Sequence, residues 1–422
     1  MKKLLAAMLA AASCASAAQA QQERISVDTS APILTLEQAV AVVVGAAPLP
    51  DAANAGIEAA QANRTVAGLR PNPLAQAQVE NVAGTGPYSG LKSAETTMGV
   101  ALPIELGGKR SARVAVADAQ LSRAELEAAV VAADVRLQVS ALYVEAIAAE
   151  RRLATARDQL RIAEDALRAA RVRVQAGRAS PLEEQRADVA KINAAASLER
   201  ATRLADVARL NLARRLGRPI DGALDVALLD RLPTAPYGPT IMPSASGTLT
   251  LAAAEADLAV ADAGIRLARA NRVPDLNIGP AVRRLEATHD TAAVFSVSIP
   301  IPLFNNGKAA VAQASAERTR VEARRRMTAL DVEQAIAEAQ AEAANAETTA
   351  RAAVGPALAA AQEAARIVRI GYREGKFGQL DLLDAERTLA DTRIAAIDAL
   401  ANFQNARARL ERLTAPAPQG GN

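Results

Sequence analysis

Side chains able to do covalent or metal chemistry are few in this chain, and their spacing does not suit such chemistry. His289 is the lone histidine and Cys14 the lone cysteine. General acid–base or nucleophilic catalysis needs a second group within hydrogen-bond reach, and nothing in the sequence offers His289 such a partner. No cluster of His and Cys is present for a tight zinc or copper site, and His289 is expected in an exposed loop. Gly107-Gly108-Lys109 is not a phosphate loop: Pro103 stands where the first glycine is needed and Arg110 where Ser or Thr is needed. Asp381 and Asp384, three residues apart, share one face near a helix start, a position that the helix dipole by itself favours for carboxylates. These residues argue against an enzyme, and no cofactor and no resident metal are expected.

The elements that must carry these side chains follow from composition. The chain has 422 residues, half of them hydrophobic, yet aromatics are only 2% and there is no Trp. Ala dominates, so a core built around Phe, Leu and Ile is hard to assemble, and long helices packed closely are the natural alternative. Residues 1–20 have the form of a secretory signal: Lys2 and Lys3, an apolar run from Leu4 to about Ala12, then Ala18-Gln19-Ala20 as a small-x-small cleavage site. Cleavage after Ala20 would leave no thiol. The rival reading, lipidation of Cys14, rests on Ala11-Ala12-Ser13-Cys14, which lacks the usual Leu of a lipoprotein box. No later segment has the eighteen or more apolar residues of a membrane-spanning helix, so an exported chain of this kind is periplasmic, secreted or inserted as a β-barrel. Removing Lys2 and Lys3 takes the formal charge from +3 to about +1, and no nucleic-acid partner is implied.

The chain states one pattern twice at a spacing of about two hundred residues. Val100–Lys109 aligns with Val297–Asn306, and Gly177 with Glu183 aligns with Gly375 and Asp381. The first repeat is placed at 21–217 and the second at 248–414, with a Pro- and Gly-rich linker at 218–247 and a disordered tail at 415–422. Each repeat opens with a helix, roughly Asp51–Leu69 and Leu251–Arg272, stopped by prolines. Two strands follow, at about 73–83 and 93–104, then about 275–284 and 291–302. Met98, Val100, Leu102 and Ile104 alternate with Thr97, Gly99, Ala101 and Pro103, and Ala293 to Ile301 alternates similarly, the period of two that leaves one face apolar. Stretches of about ten residues suit tilted strands across a hydrocarbon core. Gly84–Gly90 and Arg284–Asp290 between them are polar and turn-rich, as suits loops outside the cell.

Long helices come next, at about 111–176 and 308–373, each on the order of 100 Å at 1.5 Å per residue. Leu153, Ala156, Leu160, Ala163, Leu167, Ala170 and Val174 follow the alternating three-four spacing of a coiled coil. Pro356 lies inside the second long helix and should bend it. Gly177 and Gly375 stop these helices, and returning helices at about 180–216 and 378–413 must run antiparallel to them. Ser180, Pro181 and Glu183 supply an N-cap, a first-turn proline and a capping-box acid. Four strands cannot close a barrel, and bare strand edges are not tolerated in lipid, so several copies of the chain must share one.

This arrangement resembles the TolC family of outer-membrane efflux proteins across nearly the whole mature chain. Leu106–Arg110 and Ile301–Gly307 resemble its CzcC-like branch, which serves heavy-metal cation efflux, and Gly371–Gly375 followed by Leu380–Ala385 resembles the family's turn at the periplasmic tip. The resemblance implies a mainly α fold with a membrane part: a homotrimer with a twelve-stranded shared barrel in outer-membrane lipid of a Gram-negative bacterium and an α-helical periplasmic tunnel. It implies partners too, a periplasmic adaptor and an inner-membrane RND transporter, and export of cations such as cobalt, zinc, cadmium or copper. The family's acidic constriction maps onto Asp381 and Asp384, with Glu183 as the first-repeat counterpart, and the turns at Gly177, Gly375 and Lys376 are expected adaptor contacts. One departure is the sparse aromatic girdle, with only Phe295 and Phe304 flanking the fourth strand. Alternatives are a duct for drug efflux or type I protein secretion and, in another class, a periplasmic coiled-coil adaptor or scaffold without a pore.

Overall fold

The computed structural model describes residues 33–46, 48–234 and 244–418. The secretory segment at 1–20, with Cys14, and residues 419–422 of the tail lie outside the described residues. The elements are α1 (Leu36–Ala46), α2 (Pro48–Ala67), β1 (Leu74–Glu80), β2 (Glu95–Ile104), α3 (Lys109–Gln175), α4 (Pro181–Leu216), α5 (Leu249–Ala270), β3 (Leu276–Leu285), β4 (Thr291–Ser298), α6 (Lys308–Ala352), α7 (Leu358–Arg373) and α8 (Gln379–Leu413). Helix, two strands, long helix and returning helix thus occur twice in the same order.

The strands form one antiparallel sheet in the order β1-β2-β3-β4, so the β2–β3 ladder joins the two halves of the chain. Directly paired residues point to the same side of a sheet. One side therefore carries Met98, Val100, Leu102 and Ile104 with Val282, Phe295 and Val297, all exposed to the surroundings. The other side carries Gln76, Gln78, Thr97, Asn277, Ser296 and Ser298. Two strands are shorter than expected. β1 ends at Glu80 because Asn81 takes a left-handed φ of 57°, and β4 ends at Ser298 because Pro300 and Pro302 have no N–H to give a ladder.

α3, 67 residues of mostly good helix formers, spans on the order of 100 Å. Five of the seven heptad positions from Leu153 to Val174 are buried; Leu160 and Val174 are half-buried. At Pro356 the second long helix does not break. It widens into a five-residue π-helical turn, Ala353–Ala357, which accommodates the missing N–H, and continues as α7.

The main core surrounds the middle of α3, where Val135, Val139, Tyr143 and Ile147 pack with Val43, Leu212, Leu224, Leu229 and Phe403. The segment between the repeats packs onto this core: within 218–234, Leu224 and Leu229 are buried, Leu34 pairs with Leu224, and Gln404 Nε2 donates to the carbonyls of Leu228 (3.0 Å) and Arg231 (3.2 Å). The described part of the tail, 415–418, is also held to the body. Pro416 pairs with Thr248, and the Ala417 N–H donates to the Gly247 carbonyl at 3.0 Å.

Tyr143 ties this girdle together, donating to the Leu34 carbonyl (2.6 Å) and accepting from the Asp225 N–H (2.8 Å). Burial pushes its pKa up to about 12 from 10.0, against the opposing pull of the Asp225 N–H. Its stabilising effect is full below pH 10.0 and is lost as the pH rises through about 12. Tyr143→Phe keeps the ring packing but removes two hydrogen bonds, leaving the Leu34 carbonyl and the Asp225 N–H only the long 3.4 Å bond to each other, and should lower unfolding stability by about 0.5–1.5 kcal/mol. Thermal unfolding in detergent at neutral pH checks this.

Candidate functional site

At the far end of the helices the two hairpin tips use the same turn. In the first, the Gly177 N–H donates to the Val174 carbonyl and the Arg178 N–H to the Arg173 carbonyl, both at 2.9 Å. In the second, the Gly375 N–H donates to Tyr372 (3.1 Å) and the Lys376 N–H to Gly371 (2.7 Å). This paired closure needs a left-handed residue after the helix, and Gly177 and Gly375 sit at φ of 65° and 75°. The Phe377 ring covers Gly371 so closely that a Cβ there would overlap it. Lys376 is exposed and pairs with Glu374 at 2.6 Å.

The expected acidic residues differ in their surroundings. The Asp381 carboxylate accepts from the Gly378 N–H at 2.9 Å, so it caps α8. Asp384, one turn on, is exposed with no ion pair among the described residues. Glu183 does not form the expected capping box: the Ser180 hydroxyl alone accepts from the Leu182 N–H (3.3 Å), while Glu183 Oε2 is buried without a hydrogen-bond partner. In the second tip Gln379, the first residue of α8 and 3% exposed, has both amide heteroatoms without a hydrogen-bond partner.

The structure brings the two tips together at one end of the molecule. The Arg173 guanidinium lies 5.0 Å from the centre of the Tyr372 ring, within reach of a cation–π attraction between the hairpins. Above it, Arg393–Asp158 (3.6 Å), Arg152–Asp398 (2.7 Å) and Arg412–Asp134 (2.5 Å) continue the α3–α8 seam. Beside the seam, α4 and α8 diverge over α3 and leave a groove of about 860 Å³, lined by Leu182, Gln185, Val189, Leu380, Leu383 and Arg387 among others. Arg173 was missed by sequence reasoning, and Gly371 and Tyr372 stood out there only as part of the turn Gly371–Gly375. The signal the two stops share is a glycine followed by a basic residue, Gly177-Arg178 and Gly375-Lys376.

At the other end of the helices, Gly107 and Gly108 (φ 71° and 73°) and Gly307 (φ 73°) turn the chain from strand into helix. Asp275 locks this junction across the two halves, accepting from Lys109 Nζ (2.7 Å) and the Leu106 N–H (3.2 Å). Burial disfavours its charge, but those two donors outweigh the burial and hold its pKa below the ordinary value. The Arg113 hydrogen bond does the same for Glu105. His289 lies in the β3–β4 turn, 75% exposed, 3.7 Å from Glu286. Among the described residues no helix is long and apolar enough to cross a membrane, and no three His, Cys, Asp or Glu side chains gather as a metal-ligand set.

An apolar-faced sheet mounted on two long helical hairpins is the build of an outer-membrane channel protomer with a periplasmic helical extension. The chain belongs to the outer membrane efflux protein family, which it matches over residues 48–218 and 245–415. It is 30% identical over 386 residues to the cobalt-zinc-cadmium resistance protein CzcC of Cupriavidus metallidurans, covering 90% of each chain. Its fold is shared by a membrane protein of Pseudomonas aeruginosa (TM-score 0.75, 22% identity, covering 92% of this chain and 91% of that one). It is shared also by the Neisseria gonorrhoeae MtrE outer-membrane channel (TM-score 0.72, 21% identity, 90% and 89%). Family members are conduits for efflux, and the pore-free adaptor or scaffold considered from the sequence gives way to that assignment.

Proposed function

We propose that three copies of this chain close one barrel and one tunnel, and that this duct exports heavy-metal cations delivered by a periplasmic adaptor and an inner-membrane RND transporter. The observation that carries it is the four-stranded sheet, whose outer edges, β1 and β4, have no strand beside them among the described residues. Unpaired backbone groups are not tolerated in hydrocarbon, so neighbouring copies must supply the missing partners. The cation class, with cobalt, zinc and cadmium foremost, is supported by similarity to a cobalt-zinc-cadmium resistance protein along 90% of both chains. The cations are cargo here.

At the periplasmic end Asp381 and Asp384, with Glu183 nearby in the first hairpin, would converge around the threefold axis as an acidic constriction. Asp384 is free to face a pore, whereas Asp381 also serves as a cap. The exposed turns at Gly177, Gly375 and Lys376 would meet the adaptor. Expression in a strain that retains its adaptor and pump for cobalt, zinc and cadmium but lacks the outer-membrane component tests the assignment. Restored growth on those cations supports it. Restored tolerance to organic drugs alone, or restored polypeptide secretion, would assign the duct to one of the rival cargoes.

A further inference from the structure

The charged residues on the polar face of the sheet are gathered at one end. β2 runs from Glu95 toward Ile104 and on into the tunnel helix α3, so Glu95 lies at the end of the sheet away from the helices. The register sets Glu80 of β1 opposite Glu95 of β2, and Thr97 opposite Arg283 of β3. Along the polar face of all four strands, Glu80, Glu95 and Arg283 are the charged residues; the others there are Leu, Gln, Thr, Gly, Ala, Pro, Asn, Val and Ser.

Two carboxylates directly opposite each other on a sheet repel. Arg283 resolves that conflict from the third strand. Its Nη2 lies 2.9 Å from Glu80 Oε2, its Nη1 donates to Glu95 Oε2 at 2.7 Å, and its Nε donates to Thr97 Oγ1 at 3.0 Å. One planar guanidinium thus spans three strands, a geometry that Lys could not reproduce. Asn81, whose left-handed backbone ends β1 beside the cluster, donates to Glu95 Oε1 at 3.4 Å. The cluster carries two negative charges and one positive, a net charge of −1.

We propose that this Glu80–Arg283–Glu95 cluster is the charge filter of the outer mouth, and that Arg283 limits its preference for cations. The inference rests on the channel reading, because only a closed barrel turns the polar face into a lumen. Three copies would then form a band at the exit, separate from the acids at the periplasmic tips. Pore-lining charge acts on permeant ions over roughly a Debye length, about 10 Å at 0.1 M salt. Removing the guanidinium makes each copy more negative by one charge. Removing both carboxylates makes it positive.

The test is the reversal potential of purified full-length protein in a planar bilayer under a potassium chloride gradient. It is recorded in the wild-type background and in Asp381→Ala/Asp384→Ala, where those two tip acids no longer contribute. Arg283→Gln should move the reversal potential toward the potassium limit, and Glu80→Gln/Glu95→Gln toward the chloride limit. A heat-resistant oligomer on gels shows that each variant has assembled, and Gln78→Glu serves as a second route to added negative charge on the same face should Arg283→Gln fail to assemble. Wild-type channels whose reversal potential none of these changes moves would overturn the filter and leave the channel reading standing. Wild-type protein that forms no channel would overturn both.

Discussion

Gly99→Val is expected to abolish the outer-membrane form of the protein. Gly99 faces Ala281 across the β2–β3 ladder, where a Cβ on residue 99 would sit 2.5 Å from the Ala281 Cβ and 2.7 Å from the Pro280 carbonyl oxygen. Directly opposed Cβ atoms in a sheet normally lie about 4.5–5.5 Å apart, so the strands must separate to admit even one carbon. The carbonyl oxygen is backbone and cannot swing aside. Among the described residues this ladder alone joins the two halves of the chain within the sheet, and Pro280 already withholds an N–H from it. Opening it should cost more than about 4 kcal/mol, in the range that removes a marginally stable fold. Ala77→Val, which adds the same side chain on the exposed apolar face of β1, should be tolerated. Outer-membrane fractionation and the heat-resistant oligomer on gels compare the two. Normal assembly of Gly99→Val would mean that the β2–β3 contact is not as close as the structure has it.

The second large effect is expected at the opposite end. Replacing both Asp381 and Asp384 by Ala should raise single-channel conductance and weaken block by multivalent cations, because two carboxylates from each of three chains would leave the constriction together. The two residues should also separate from one another. Asp381→Ala removes a helix cap worth about 0.5–2 kcal/mol and should loosen the tip, whereas Asp384→Ala breaks no bond in the chain and should act on ions alone. Asp381→Asn tells the roles apart, since its amide oxygen still accepts from the Gly378 N–H without the charge. Conductance and block that stay unchanged in the double variant would remove these residues from the constriction.

Much of this architecture was legible because backbone periodicity writes itself into the sequence. Met98, Val100, Leu102 and Ile104 announce a strand with one apolar face, and the heptad from Leu153 to Val174 announces a packed long helix. Gly177 and Gly375 mark the tips because a left-handed backbone needs glycine. Less was legible where local composition and distant packing disagree. Residues 218–234 carry the prolines and glycines of a loop, but Leu224 and Leu229 are buried in one cluster with Val43, Tyr143 and Phe403, far away in the chain. Ile299 and Ile301 keep the alternation of β4 going after Pro300 and Pro302 have ended its ladder.

The site was less legible than the fold for a related reason. Asp381, Asp384 and Glu183 stood out through spacing, but spacing cannot tell that Asp381 caps a helix while Glu183 has a buried, unpaired oxygen. Pairs such as Arg152–Asp398 and Arg173–Tyr372 join residues some two hundred positions apart, and no local pattern signals them. Arg283 is an intermediate case. The phase of the strands places it on the polar face with Glu80 and Glu95, but only the register shows that one guanidinium meets both.

The central claim is that the chain builds a shared barrel and not a free-standing protomer. It is tested most directly on protein purified from outer membranes, by measuring its mass in detergent and its conductance in a planar bilayer. A trimer giving narrow, cation-preferring channels is the expected result. A soluble periplasmic monomer without conductance would contradict it.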